Sequence, residues 1–205
     1  MSPFLLLVLA YLLGSIPTSQ LVGRLGYGVD LTREGSGNLG ATNTFRVLGW
    51  KAALPVVVVD VGKGWLPAWL FAQLDTSPAW TWALAYGAAA IAGHVFSVWV
   101  RFRGGKGVAT STGVFLALAP AALLAGFTIW LLVAFSTRIV SLASLAAAAS
   151  VAAAVWILPP PRGALALRAF TLLLAAFVFW SHRANIRRLV RGEENRFGSR
   201  RTDGG

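Results

Sequence analysis

Long hydrophobic runs recur along this sequence, and they limit its fold more than any other feature. A helix needs about 20 consecutive apolar residues to cross the hydrocarbon core of a bilayer. Hydrophobic residues make up 57% of the 205 residues, and the mean hydropathy is +0.68. The sequence therefore predicts an all-α, polytopic membrane helix bundle, a single domain over 1–205 with a short basic tail from about residue 182. The runs lie at 3–22, 52–72, 80–100, 113–135, 139–158 and 164–180.

The basic residues between the runs predict the orientation of the bundle. Arg24, Arg33 and Arg46 follow the first run, and loops rich in Lys and Arg stay in the cytoplasm, so we expect the N-terminus to lie outside. No basic residue precedes the apolar stretch 4–21, which we therefore interpret as a retained first span rather than a cleaved signal peptide. Residues 75–78 and 159–162 are predicted to form outer turns.

The charge of the tail sets the number of crossings. Seven arginines follow His182, so the tail is predicted to be cytoplasmic, and an even number of crossings must follow the basic loop 101–111. Pro120 lies near the middle of run 113–135, where a proline breaks or kinks a helix. A turn at Pro120 gives seven transmembrane helices, two of them short, or five full spans plus a re-entrant hairpin, and the charge pattern is compatible with both layouts.

Composition excludes several classes of protein. The net charge of +11 could suggest nucleic acid, but the basic residues lie beside the spans, so we expect contact with anionic membrane lipids and no nucleic acid. The chain has no cysteine and two histidines, His94 and His182. Two histidines are too few for a histidine-based metal centre without nearby carboxylates, and the sequence predicts neither a metal nor a cofactor.

A glycine-rich polar loop, GSGNLGATNTFR at 35–46, follows the first span. Its GxGxxG spacing is not a dinucleotide fingerprint, because a membrane span precedes it and no βαβ unit surrounds it. Glycines let backbone N–H groups approach an anion, neutral side chains add donors, and a guanidinium suits phosphate. The alternative is a flexible interhelical turn. The candidate ligands of the anion are Ser36, Gly37, Asn38, Thr42, Asn43 and Arg46.

A second loop, RFRGGKGVATS at 101–111, also follows a span. Its Gly104-Gly105-Lys106-Gly107 segment does not fit the P-loop pattern. A lysine between glycines at the start of a helix is nevertheless suited to an anion, because the helix N-terminus adds free N–H groups and positive potential. A positive-inside anchor would explain Arg101 and Arg103, but it would not explain the glycines.

Further candidate residues lie in the tail and inside two spans. His182 and Asn185 are one helical turn apart and share a face, and Glu194 is predicted to form a structural salt bridge. Asp60 and Lys63 share a face of the second span, where ionisable groups are costly; they either line a site or neutralise each other. His94, about ten residues before Gly104, is predicted to support the site.

The ordered set of motifs closely resembles the bacterial acyl-phosphate-dependent glycerol-3-phosphate acyltransferases, the PlsY family. The match covers nearly the whole chain, and the alternative HxxxxD acyltransferase signature is absent, since Trp99 and Arg187 stand five residues after the two histidines. The resemblance implies transfer of a fatty acyl group from acyl phosphate to the 1-hydroxyl of sn-glycerol 3-phosphate, giving lysophosphatidic acid. The segments that carry it are SGNLGATNTFRVLG (36–49), DVGKG (60–64), GHVFSVWVRFRGGKGVAT (93–110) and HRANIRRLVRGEENRFG (182–198).

The resemblance also implies roles for five residues. Ser36, Arg46 and Lys106 would hold phosphate, while His182 and Asn185 would place the glycerol hydroxyl and the reacting carbonyl. No cysteine or Ser–His–Asp arrangement argues for an acyl-enzyme, so direct transfer is expected, with Asp60, Lys63, His94, Gly104, Gly105 and Gly107 assigned to substrate binding.

Two other classes of function remain open from the residues. One is a transporter of an anionic metabolite, and the other is a non-catalytic subunit of a lipid-synthesis complex. For the acyltransferase, the partners are glycerol 3-phosphate, acyl phosphate and membrane lipids, with a soluble enzyme that makes acyl phosphate as a further candidate. The expected location is the bacterial plasma membrane, with the active site on its cytoplasmic side.

Overall fold

The hydrophobic runs form helices that pack into one bundle. The computed structural model describes residues 1–76, 79–158 and 164–198, and these residues contain helices and loops but no strand. π-Helical turns at Val22–Gly26 and Pro67–Phe71 extend α2 and α4, and a 3₁₀ turn lies at Val98–Val100. The α-helices are α1 (Pro3–Ser15), α2 (Thr18–Leu21), α3 (Ala41–Leu48), α4 (Trp50–Leu66), α5 (Ala72–Leu74), α6 (Thr81–Val95), α7 (Val108–Leu118), α8 (Pro120–Thr137), α9 (Val140–Ile157), α10 (Ala164–Ser181) and α11 (Arg183–Val190).

Within the described residues, four helical stretches are long and apolar enough to cross a bilayer, namely Trp50–Leu74, Thr81–Val100, Pro120–Thr137 and Val140–Ile157. The count rises to six if two bent pairs of helices, which begin at Pro3 and Leu165, each form one span. The predicted all-α membrane bundle is confirmed. The seven-helix count and the external N-terminus stay predictions, and the two predicted outer turns include residues outside the described part of the chain.

The first run is bent, a feature that its apolar pattern did not predict, and its two helices are together long and apolar enough for the single span expected at residues 4–21. Helix α1 ends at Ser15, and the chain bends by 41° before the next helix. Pro17 has no N–H to donate, and it disfavours helical geometry at the preceding Ile16, whose ψ is 116°. The break leaves the carbonyl of Ile16 without its helical partner, and this oxygen accepts a hydrogen bond from Lys63 Nζ at 2.9 Å.

The predicted break at Pro120 is present. Helix α7 ends at Leu118, Ala119 leaves helical geometry with φ −151° and ψ 64°, and α8 begins at Pro120. Helix α7 has 11 residues, so it is about 16 Å long and too short to cross the hydrocarbon core alone. Helix α8 has 18 residues and is long enough to span. The sequence predicted a short helix on each side of Pro120, and of the two only α7 is short.

Glycines bring two helix pairs into backbone contact. A Cβ placed on Gly14 of α1 would lie 2.1 Å from the Ala90 carbonyl oxygen of α6, and one on Gly113 of α7 would lie 1.9 Å from the Val61 carbonyl oxygen of α4. Such close approach requires glycine, as is common where helices pack in lipid. The alanine-rich α9 also packs on α8 at a glycine, Gly126, but there the nearest atom belongs to the Val151 side chain. These contacts fix the helix ends from which the polar loops emerge.

Candidate active site

The first polar loop is organised by a buried side chain, Asn43. Its Oδ1 accepts hydrogen bonds from the Ser36 backbone N–H (2.8 Å) and from Ser36 Oγ (3.1 Å), and its Nδ2 donates to the Glu34 carbonyl (3.0 Å). Gly35 and Gly37 have φ values of 61° and 67°, a left-handed geometry that favours glycine. Asn43 therefore shapes the loop with the amide group that the sequence predicted to bind the anion. The same group holds Ser36 at the cavity.

The second polar loop rests on the end of α6. The backbone N–H groups of Gly104 and Gly105 donate to the carbonyls of Val95 (2.9 Å) and His94 (3.1 Å). A Cβ on Gly104 would lie 1.9 Å from the His94 carbonyl oxygen, and one on Gly105 would lie 2.1 Å from His94 Nε2. These glycines are needed for packing against α6, and the loop they form carries Lys106 to the cavity.

The junction of α10 and α11 supplies His182 and Asn185. Both side chains are buried, as their one-turn spacing allows. His182 Nδ1 lies 2.8 Å from the Val178 carbonyl oxygen, which can only accept, so this nitrogen carries the proton and Nε2 is left as an acceptor. Asn185 Oδ1 accepts a hydrogen bond from Lys106 Nζ. The second and third polar segments thus meet directly at the site.

Glu194 joins α9 and α11 through three partners of its carboxylate. Its Oε1 accepts from Ser141 Oγ of α9 (2.9 Å) and from Asn185 Nδ2 of α11 (2.6 Å), and its Oε2 pairs with Arg188 Nε (2.7 Å). Burial by itself raises the pKa of Glu194, but the hydrogen bonds from Asn185, Arg188 and Ser141 outweigh it and hold this pKa below its usual value. The predicted salt bridge is present, and it also fixes Asn185.

The three polar segments open into one cavity of about 1070 Å³. Among the described side chains that line it, Glu194 is the one acid and six are Lys or Arg, so the polar end is strongly cationic. Burial lowers the pKa of Lys106 to about 8, with the nearby charge of Glu194 raising it and those of Arg188 and Arg46 lowering it further. The cationic lining residues are Arg46, Lys106, Arg183, Arg187, Arg188 and Arg196.

The rest of the cavity is apolar and runs between α8, α9 and α10. Phe127 and Phe135 of α8 line it and are 49% and 71% exposed. The apolar part of the cavity is therefore open along α8 rather than sealed. Further apolar residues that line it are Phe115, Leu123, Trp130, Val151, Leu174 and Val178.

The cavity collects most of the residues predicted from the sequence. The predicted residues that line it are Ser36, Asn38, Thr42, Asn43, Arg46, His94, Lys106, Gly107, His182, Asn185 and Glu194. Gly37, Gly104 and Gly105 shape the two loops without lining it, and Asp60 and Lys63 lie behind it as a buried ion pair at 2.8 Å. In the described part of the chain, no group of three His, Asp or Glu side chains could hold a metal ion.

Two contributors to the site were missed by sequence reasoning. Ser141 stands in an apolar span, and no spacing relates it to Glu194, 53 residues later. Arg188 belongs to the basic tail, whose charges were expected only to contact anionic lipids, yet its Nε pairs with Glu194 inside the site. The apolar lining residues could not be separated from other span residues, because membrane helices are apolar on most faces.

Comparison with known proteins decides the family. A family model for glycerol-3-phosphate acyltransferase matches residues 4–192. The chain belongs to this family. Among similar proteins, the acyltransferase is 48% identical to a glycerol-3-phosphate acyltransferase of Geobacillus kaustophilus over 93% of both chains. It is 45% identical to that of Trichlorobacter lovleyi over 92% of this chain and 94% of the relative.

Two solved structures are similar to this acyltransferase over nearly its whole length. Both are crystal structures of PlsY, an integral membrane glycerol 3-phosphate acyltransferase, and both are 37% identical to this chain. The glycerol 3-phosphate form has a TM-score of 0.88 with 96% of each chain covered, and the lysophosphatidic acid form has 0.86 with 96% and 95% covered. The family resemblance, the acyltransferase activity and the multi-pass membrane location are confirmed.

Proposed function

We propose that this acyltransferase moves a fatty acyl group from acyl phosphate to the 1-hydroxyl of sn-glycerol 3-phosphate, giving lysophosphatidic acid and phosphate. The observation that carries the proposal is the composition of the cavity that the three polar segments share. Its cationic end suits two phosphate groups, and its apolar end suits an acyl chain. Relatives whose names include glycerol 3-phosphate or lysophosphatidic acid support the acceptor and the product.

The site residues take roles that follow from their donors and charges. Arg46 and Lys106 neutralise phosphate, and Ser36 contributes a hydroxyl beside them. His182 Nε2 is an acceptor suited to orient the glycerol hydroxyl. Asn185 fixes Lys106 and retains one amide hydrogen for substrate, because its second hydrogen bonds Glu194.

The transfer needs no acyl-enzyme. The glycerol oxygen forms a bond to the carbonyl carbon as the bond between that carbon and the phosphate oxygen breaks, and the electron pair leaves with phosphate. The hydroxyl proton passes to a phosphate oxygen of a bound substrate. Alignment of the two substrates and stabilisation of the developing charges supply the catalysis. We place this chemistry on the cytoplasmic side, where the basic loops are expected.

The test is an assay of purified protein with glycerol 3-phosphate and palmitoyl phosphate, measuring lysophosphatidate and released phosphate. We expect one phosphate released for each lysophosphatidate formed, and no product when palmitoyl-coenzyme A replaces palmitoyl phosphate. Product formed with the thioester alone would refute the acyl-phosphate donor. Absence of product with either donor would favour a transporter or a non-catalytic subunit.

A further inference from the structure

The buried ion pair of Asp60 and Lys63 has no direct access to substrate. Lys63 Nζ lies 2.8 Å from Asp60 Oδ1, and both side chains are 2% exposed. Neither residue lines the cavity. Burial of two ions inside a membrane bundle is costly, and an apolar pair of similar size is often as stable. A role beyond stability therefore needs a structural link to the site.

His94 supplies that link. Its Nδ1 lies 3.7 Å from Asp60 Oδ1, while its Nε2 is packed so closely against Gly105 that a Cβ there would lie 2.1 Å away. The imidazole therefore lies between the ion pair and the second polar loop and packs against both. The carbonyls of His94 and Val95 hold the same loop by accepting from Gly105 and Gly104.

Lys63 ties the other side of this arrangement to the broken first helix. Its Nζ also donates to the Ile16 carbonyl at the Pro17 break, an oxygen that also accepts from the Thr18 backbone N–H. The ion pair thus connects α1, α4 and α6 behind the loop. Lys106 directly follows Gly105, so the position of Gly105 sets where the ammonium enters the cavity.

We propose that Lys63, Asp60 and His94 form a positioning network that holds Gly104 and Gly105 in place and so aims Lys106 at the phosphate of glycerol 3-phosphate. The network rests on the proposed function, in which Lys106 binds phosphate. Asp60 and Lys63 act through His94 and touch no substrate. This role replaces the direct substrate contact expected for both residues from the sequence.

The first test is His94→Ala, which keeps the backbone hydrogen bonds to the loop but removes the imidazole. We expect the Kd for glycerol 3-phosphate, measured by calorimetry, to rise about tenfold, and the KM for acyl phosphate to stay within about twofold. His94→Gln, which keeps a polar side chain of similar reach beside Gly105, should recover most of the affinity. Tyr86→Phe is the matched control: it removes a hydrogen bond to Asp75 at the opposite end of α6 and should leave the Kd unchanged.

The second test removes both charges of the pair. Lys63→Met alone leaves the buried Asp60 carboxylate without its cation, and Asp60→Asn alone leaves the buried Lys63 ammonium without its anion. Either change should lower the unfolding temperature. The double variant Asp60→Asn/Lys63→Met should fold better than Lys63→Met and still bind glycerol 3-phosphate about five- to tenfold more weakly than wild type. If the pair served stability alone, the double variant would regain the wild-type Kd as it regains the fold.

The inference is wrong if folded His94→Ala binds glycerol 3-phosphate as wild type does. If His94→Ala does not fold, the double variant decides, and a wild-type Kd in it overturns the network. Calorimetry needs no acyl donor, so this failure is distinct from failure of the proposed function. The proposed function fails when wild-type protein makes no lysophosphatidate from acyl phosphate.

Discussion

Burial and three nearby charged side chains act together on the pKa of Lys106. Its ammonium is half-buried and hydrogen-bonded to Asn185 Oδ1, and the nearby charges of Glu194 and of Arg188 and Arg46 shift its pKa in opposite directions. Burial is the largest influence and lowers its pKa to about 8. The side chain is therefore charged at neutral pH but loses its proton within an accessible range.

We expect kcat/KM for glycerol 3-phosphate to fall as pH rises through about 8, because the charge that attracts phosphate is lost as Lys106 is deprotonated. The substrate phosphate is already doubly charged there, since its second pKa is near 6. Lys106→Arg, which stays charged, should lower activity but remove this dependence. A wild-type profile that is flat between pH 7 and about 9.5 would contradict the assignment.

Ser36 is the second residue with a decisive test. Its hydroxyl donates to Asn43 Oδ1, which accepts its hydrogen but is not a base that could activate it. We expect protein incubated with labelled acyl phosphate alone to carry no covalent label. When phosphate binds, the Ser36 hydroxyl would turn its one hydrogen from Asn43 Oδ1 to a phosphate oxygen, while Asn43 Oδ1 keeps the bond from the Ser36 backbone N–H. Ser36→Ala should therefore weaken substrate binding, since a lost hydrogen bond to a charged group costs about 1.5–3 kcal/mol. Stable label on Ser36 that chases into lysophosphatidate would overturn direct transfer.

At the scale of elements, the Glu194 carboxylate joins α9 to α11, the helix that carries Asn185, the hydrogen-bond partner of Lys106. Its three partners are Ser141, Asn185 and Arg188. Because its folded pKa is lowered, Glu194 contributes stability above its unfolded pKa, and this contribution is lost as pH falls through the folded value. The contacts therefore couple the orientation of α11 to the geometry of the site.

We expect Glu194→Gln to lower activity and the unfolding temperature together, because an amide presents a donor to Arg188 and leaves its guanidinium unpaired. Ser141→Ala, which removes one neutral donor to the same carboxylate, should cost only about 1 kcal/mol and retain most activity. Thermal unfolding and lysophosphatidate assays of both variants measure this difference. Equal, small effects of both substitutions would show that the α9–α11 contact is dispensable.

The loops show what local sequence could and could not predict. Glycines beside Lys106 were recognised as meaningful, but the expected reason was access of an anion to the backbone, whereas Gly104 and Gly105 pack on α6. Asn43 lines the cavity and stays a predicted substrate ligand, but its bonds to the backbone of its own loop were not foreseen. Residue type and position along a span are visible in one sequence, but long-range partners such as Ser141 and Glu194 depend on helix packing.

At the scale of the whole molecule, the helix bounds agree with most of the apolar pattern. The break at Pro120 followed from the lost donor of proline combined with the parity of charged loops. The break at Pro17 has the same chemical cause, but it was missed because run 3–22 satisfied the length of a span without it. Hydrophobic length alone cannot distinguish a straight span from two helices bent by 41°.

The seven-helix topology can be tested directly because the chain has no cysteine of its own. A cysteine at exposed Ser2 should react with an impermeant thiol reagent from outside the cell. Cysteines at exposed Arg103 and Arg191 should react only after the membrane is opened, since both are predicted to be cytoplasmic. External labelling of Arg191→Cys would favour six spans, and labelling of Arg103→Cys would reverse the orientation.

The side opening at Phe127 and Phe135 has a kinetic consequence. An acyl donor that enters there comes from the plane of the bilayer, so its effective concentration is its mole fraction among lipids rather than its molarity in water. Adding inert lipid to a fixed amount of acyl donor then lowers the mole fraction of donor in the bilayer and slows the reaction. Glycerol 3-phosphate, drawn from the aqueous phase, is unaffected by such dilution, so one catalytic event obeys two different laws of concentration.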